Sequence, residues 1–178
     1  MPADEQALLE ALQQARLGET SEEYALGTRE ENRIASGIMA AQATRSICIA
    51  SRDLDHYLYD TSEFAEAIKN LATSNRNARV QILVWETDKI IKQGHRLIEI
   101  MRRLTSFIDM KIPARQHREY NEALLLVDDC GYIHRDLSDR YEAKACFNSP
   151  RTTNNYYNQF KEMWDHGDYD PNLRRLHL

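Results

Sequence analysis

The sequence predicts a single α/β domain with a mixed, mostly parallel sheet flanked by helices on both faces. Two observations carry that expectation. The first is a set of short apolar runs, Ser46–Ala50, Val80–Trp85 and Ile108–Ile112, separated by stretches of helical periodicity. Strand, helix, strand in that order makes the strands parallel, joined by right-handed crossovers. The second is Asn121–Asp128, where four consecutive apolar residues, Leu124 to Val127, are flanked by charge and read as a strand buried on both faces. Asp129, Cys130 and Gly131 then supply turn chemistry, with Gly131 free to take positive φ, and Tyr132–Arg135 returns as the hairpin partner.

The elements follow in order. Leu8, Leu9, Leu12 and Leu17 give residues 3–17 a short apolar stripe opposite an acidic, glutamine-rich face. A polar loop, Gly18–Glu22, follows, so residues 1–20 are expected to be an N-terminal docking or dimerisation helix beside a main domain at 24–166. Thr28 and Glu31 have the spacing of a capping box and open a helix to about Thr44. That helix is rich in small residues (Ala35, Gly37, Ala40, Ala41, Ala43), which lets it lie close to a sheet. After a loop at Ser51–Asp55, Thr61 or Ser62 caps a helix whose inward face is Phe64, Ile68, Leu71 and Ala72. Thr87 starts a further helical stretch, interrupted at Gly94 and continuing to Thr105, and Pro113 ends the third strand. Glu142–Phe147 alternates strictly, as a strand with one solvated face does. Ser149 and Pro150 open a last helix to His166, and its stripe of Tyr156, Tyr157, Phe160, Met163 and Trp164 reads as core packing. Residues 167–178 are expected to be an irregular tail.

Length and composition bound the function. A chain of 178 residues is one domain and buries about 70% of the surface it exposes unfolded. Its 42% hydrophobic and 29% charged residues belong to an ordinary globular protein, and no apolar run approaches the roughly 20 residues of a membrane span. Residues 1–5 show no secretory signal, and Cys48, Cys130 and Cys146 lack paired spacing, so buried free thiols in a reducing cytoplasm are expected. The net charge of −5 lies in residues 1–30, with seven acidic and two basic side chains, while the remainder is neutral. That balance makes nucleic acid an unlikely partner. The cations are 17 Arg against 6 Lys, a bias suited to bidentate pairing with carboxylate or phosphate.

The order helix, strand, helix, strand, helix, strand, hairpin, strand, helix resembles one phospholipase D-type domain over residues 24–166. Ala43–Ile49 and Asn77–Leu83 resemble the first two strands of that superfamily. Tyr141–Lys144 and Phe160–Trp164 resemble its late Glu-bearing strand and its closing F-x-x-x-W helix. The central hairpin resembles the one that carries the motif His-x-Lys-x-x-x-x-Asp in active members. Here Asp128 keeps the last position, Asn121 stands at the His and Ala123 at the Lys. None of His56, His95, His117, His134, His166 and His177 is followed two residues on by Lys. The resemblance therefore implies the fold without its nucleophile or its phosphate clamp, and no cofactor. The whole chain also resembles an uncharacterised family of bacterial proteins with this fold, from which no activity follows.

By the same analogy the former active site lies near Arg52, Asn121, Arg135, Arg140 and Glu142. Three arginines there suit a phosphate-bearing ligand, unless Asp53, Asp128 and Glu142 neutralise them internally. Arg135 stands where active relatives carry a small Gly-Ser pair, and is expected to fill the site, pairing with Glu142 or Asp128 or holding an anion. Single-motif members of the superfamily pair about a two-fold axis, which implies a homodimer. The function expected is a catalytically degenerate scaffold, assembly or anion/partner-binding module. The alternatives are a hydrolase or phosphodiesterase using His117 with Glu119 or His134 with Asp136, or a weak nucleic-acid binder. No HExxH, Walker loop or GxGxxG is present.

Overall fold

The computed structural model of the protein describes residues 3–174. They form α1 (Ala3–Gln14), β1 (Glu23–Leu26), α2 (Arg29–Ala41), β2 (Ser46–Ser51), α3 (His56–Tyr59), α4 (Ser62–Ser74), β3 (Arg79–Val84), α5 (Asp88–Gln93) and α6 (Arg96–Arg103). Then come β4 (Ile108–Lys111), a 3-10 turn at Arg115–His117, β5 (Ala123–Val127), β6 (Gly131–Arg135), β7 (Ala143–Cys146), α7 (Pro150–Asp165) and α8 (Pro171–Arg174). One seven-stranded sheet runs β1-β7-β6-β5-β2-β3-β4.

The sheet is mixed, but the expectation of a mostly parallel one is corrected. Only β2–β3 and β3–β4 are parallel; β5 lies antiparallel to β2, and β6, β7 and β1 continue antiparallel. The two helical crossovers, α3–α4 and α5–α6, account for the parallel pairs, and the hairpin after β5 continues the other half of the sheet antiparallel. Two apolar layers cover the faces. On one, α7 lies over Cys48, Ala50, Leu83, Leu124, Leu126 and Tyr132 through Phe160 and Met163. On the other, α2, α4 and α6 pack with Ile47, Ile49, Ile82, Leu125, Val127 and Ile133.

Local signals hold where they were strong. Thr28 accepts from the Glu31 N–H, and the Glu31 carboxylate accepts in return from Thr28 N at 3.0 Å, the reciprocal capping box. Thr61, not Ser62, caps α4. Gly94, at φ 76°, separates α5 from α6. The aromatic stripe of α7 packs on the sheet as expected, with Phe160 fully buried.

The two ends dock on the domain. Leu12 is fully buried, Leu8 and Leu9 pack against the core, and Gln42 of α2 joins Leu17 N and Ala15 O. The apolar stripe of α1 is thus partly buried within its own chain, through Leu12 above all. The segment expected to be an irregular tail is pinned as well: Asp168 bridges Ile112, Arg102 donates to Leu173 O, and Leu173 is buried. Residues 175–178, including His177, lie outside the described residues. No helix of the described residues is long and apolar enough to cross a membrane.

The central turn uses its residues differently from the expectation. Positive φ falls on Asp128 (53°) and Asp129 (59°), and Cys130 N donates to Val127 O, the signature of a primed turn. Aspartate tolerates that region. At Gly131 the constraint is close approach instead: a Cβ there would lie 2.5 Å from Leu17 Cδ1 and 3.1 Å from Met39 Sδ, so those side chains would have to shift.

His95, the N-cap of α6, is buried with its Nε2 3.1 Å from Leu54 O while its Nδ1 accepts from Leu97 N at 3.2 Å. Those two partners hold the neutral tautomer protonated at Nε2. Burial, only partly offset by Asp60, lowers its pKa to about 4. Unfolded histidine titrates near 6.5, so the folded state takes up its proton later than the unfolded state does. The contribution is present in full above about pH 6.5 and is lost as pH falls through about 4, a loss of about 3 kcal/mol. Urea titrations at pH 7 and pH 4 should show that loss reduced in His95→Gln; an unchanged pH dependence would refute the assignment.

Candidate functional site

The site expected from the sequence lies at one end of the sheet, where β2 and β3 finish, β5 begins and β6 ends. β2 runs out at Ser51, and the chain turns through Leu54, at φ 51°, into Asp55. Asp55 caps α3 by accepting from Tyr57 N at 2.9 Å, and its own N–H donates to Ser51 Oγ. Its carboxylate is thereby aimed at the end of β6.

Arg135 is the last residue of β6 and pairs across the ladder with Ala123, the first of β5. The two side chains share a face, and Ala123 offers only a methyl group beside the long guanidinium. Arg135 is 4% exposed. Its Nη1 lies 3.9 Å from Asp55 Oδ2 and donates to Arg140 O at 3.2 Å, and its Cζ sits 5.4 Å from the centre of the Tyr141 ring. Tyr141 closes the group: its hydroxyl donates to Asp55 Oδ2 at 2.9 Å. Buried Asn32 of α2 fixes that residue by donating to Tyr141 O at 2.7 Å.

The pairing expected for Arg135 is therefore corrected. Its partner is Asp55, not Glu142 or Asp128. Glu142 points outward and is exposed. Asp128 sits at the far end of β5, where it accepts from Thr44 N, Thr44 Oγ1, Arg45 N and Ser46 N at 2.6–2.9 Å. It is a buried clasp between the central hairpin and the start of β2.

The other expected residues do not converge on one pocket. Arg52 pairs with Glu86 at 3.3 Å and donates to Tyr120 O at 3.2 Å. Exposed Asn121 is tied to Ser138 through both side chain and backbone, at 2.7 Å each. Arg140 enters only through its carbonyl, and its side chain is in the exposed class. Near Arg52 a groove of about 440 Å³ is lined by Asp53, Trp85, Glu86, Thr87, Asp88 and Lys89. Three carboxylates against one ammonium, itself 3.1 Å from Asp53, give that groove the wrong sign for a phosphate.

Electrostatics keep the cluster's phenols protonated. Burial pushes buried Tyr59 up to about 12, with the nearby Arg135 charge opposing and Asp55 adding to the rise. Tyr141 is raised by burial and by its bond to Asp55. Both remain neutral at ordinary pH, so the cluster offers a guanidinium, a carboxylate and two phenols, and no imidazole. Among the described residues no group of three His, Cys, Asp or Glu side chains is placed to hold a metal ion.

A second polar cluster lies on the face covered by α7. His134, 8% exposed, has Nε2 2.7 Å from Glu122 Oε2 and Nδ1 3.7 Å from Asp136 Oδ1, and it stacks on Tyr156 of α7 at 4.6 Å. Asp136 was the partner expected; Glu122 is the closer one and was missed. The signal was available in the hairpin, since Leu124 faces His134 and Glu122 lies two residues before Leu124 on the same face. His117 takes no carboxylate among the described residues: its ring lies 6.1 Å from that of His166 and touches Gln116. Asp55 and Tyr141 were missed as members of the first cluster because no local pattern links them to Arg135.

This architecture is that of the phospholipase D fold. The chain superposes on Nuc of Salmonella typhimurium, a phospholipase D family member, with a TM-score of 0.55 at 15% identity, over 83% of this chain and 97% of that one. NucT of Helicobacter pylori gives 0.56 at 16% identity, over 83% and 96%. TrmBL2, an archaeal chromatin protein described with a novel mode of DNA binding, gives 0.61 at 12% identity, over 93% of this chain and 61% of that one. The chain thus spans about 61% of the length of TrmBL2. Residues 28–176 match the model of DUF7931, a domain of unknown function, and the chain belongs to that family. No curated protein sequence matches it.

Proposed function

We propose that this protein is a catalytically degenerate phospholipase D-like domain that works as a scaffold or assembly module. One observation carries the reading: Arg135 and its partners Asp55 and Tyr141 fill the place beside Ala123 where the superfamily resemblance puts a phosphate-binding lysine. The cation is restored from the neighbouring strand, but it is buried and already has a carboxylate. With Asn121 at the nucleophile's position, the covalent phosphohistidine route has no group to start it. The groove next to Arg52 is acid-lined, which further disfavours an anionic substrate.

The purified protein should therefore show no turnover of bis-p-nitrophenyl phosphate or DNA above background. Turnover that disappears in Asn121→Ala would overturn the reading. Assembly about a two-fold axis, as single-motif relatives pair, is the companion proposal. Light scattering at micromolar concentration should report a dimer, and a monomer would end that part. The apolar stripe of α1 gives it limited support: Leu12 is buried within the chain, and Leu8 and Leu9 are half-buried.

A second reading, a hydrolase using a non-standard histidine, is favoured by the 2.7 Å contact between His134 and Glu122. Tyr156 stacks over that imidazole and covers it, which ranks this reading below the scaffold. Nucleic-acid binding, prompted by the fold likeness to TrmBL2, is tested by salt-dependent retention of DNA.

A further inference from the structure

The chain is acidic overall, yet residues 69–103 hold eight basic and three acidic side chains. Part of that excess gathers in one place. Between α4 and α6 a half-open cavity of about 370 Å³ is lined by Ala65 and Lys69 from the first helix and Arg96, Glu99, Ile100, Arg103 and Leu104 from the second and its cap. Its floor is apolar: Ala65 and Ile100 belong to the buried core, and Leu104 stays 38% exposed at the mouth. Three cations and one carboxylate line the same space.

Two of the cations are partly spoken for. Lys69 is 2.9 Å from Glu66, and Arg96 is 3.3 Å from Asp60. Arg103 has no hydrogen-bond or ion-pair partner among the described residues. An unengaged guanidinium beside exposed apolar surface, in a cavity of ligand size, is the combination that recognises a charged head on an apolar body.

We propose that the α4–α6 groove binds a small organic anion, a carboxylate, phosphate or sulfonate carried on an acyl or aromatic group. Arg103 engages the head, Lys69 and Arg96 add to the positive field, and Leu104, Ile100 and Ala65 take the apolar part. No residue of the Arg135 cluster contributes, so this proposal stands apart from the fate of the former active site.

The test uses 1-anilinonaphthalene-8-sulfonate, which carries one sulfonate on an aromatic body, with the full-length protein. Fluorescence titration should give saturable binding, weakened about tenfold or more in Arg103→Glu and in Leu104→Asp. Arg76→Glu, a charge reversal outside the cavity, should leave binding unchanged. All three positions are exposed, and melting curves verify that each variant folds. Inorganic phosphate alone should displace the probe poorly. Equal affinity in Arg103→Glu and the parent protein, or an equal loss in Arg76→Glu, would overturn the site. Displacement by phosphate as effective as by the non-fluorogenic competitor naphthalene-1-sulfonate would overturn the apolar half of the specificity.

Discussion

Arg135→Ala is expected to lower the stability of the protein by about 3–5 kcal/mol, because it empties a buried side-chain site and removes both the charge facing Asp55 and the donor to the Arg140 carbonyl. At about 2–4 °C per kcal/mol for a chain of this size, the melting temperature should fall by roughly 6–20 °C. Asp55 keeps two partners in the variant, Tyr141 Oη–H and Tyr57 N–H, so the carboxylate remains satisfied in part. What it loses is the guanidinium placed against its Oδ2, and the Arg140 carbonyl loses its donor. Arg135→Met separates charge from volume. It refills the space beside Ala123 and should lose about half as much. Thermal melts of the two variants side by side measure both terms; equal and small losses would show that the pair is not holding this end of the sheet together.

Asp128→Ala should be at least as damaging, at about 4 kcal/mol or more. Three backbone N–H groups, of Thr44, Arg45 and Ser46, converge on this one carboxylate, and the Thr44 hydroxyl makes a fourth donor. Each buried donor left unpaired costs about 1–3 kcal/mol. The side chain is 5% exposed, so water does not readily take its place. Asp128→Asn keeps an acceptor and tolerates the positive φ of the turn, but turns one amide N–H toward the donors. It should fall between alanine and the parent protein in urea titration. A neutral Asp128→Ala would contradict the clasp.

How much of this was legible depended on sequence distance. The capping box of α2, the break at Gly94 and the packing stripe of α7 rest on residues within a few positions of one another, and local periodicity shows them directly. The β2–β3 crossover was legible because a helix between two apolar runs has one favoured outcome. The antiparallel placement of β5 against β2 was not, since no feature of either strand names its neighbour in the sheet. The site shows the same division. That no His is followed two residues on by Lys could be counted along the chain, and Arg135 could be marked as an unusual residue in its place. Its partner was out of reach, because Asp55 is brought there by the turn at Leu54 and the cap of α3, some eighty positions earlier. Asp128 was placed at the turn end of β5, as it is, but named as a possible partner for Arg135, which the hairpin register puts at the opposite end; in the same turn, positive φ was given to Gly131 instead of to the aspartates that take it.

Arg135 is buried against Asp55 of its own chain, and the proposed scaffold reading requires that it is not held open for an anion. The most direct test is the melting temperature of the parent protein and Arg135→Ala, each with and without inorganic phosphate. The pairing with Asp55 predicts a large drop in Arg135→Ala of the same size in both buffers. A variant as stable as the parent in the absence of phosphate, but no longer stabilised by adding it, would contradict the account and return Arg135 to the role of an anion ligand.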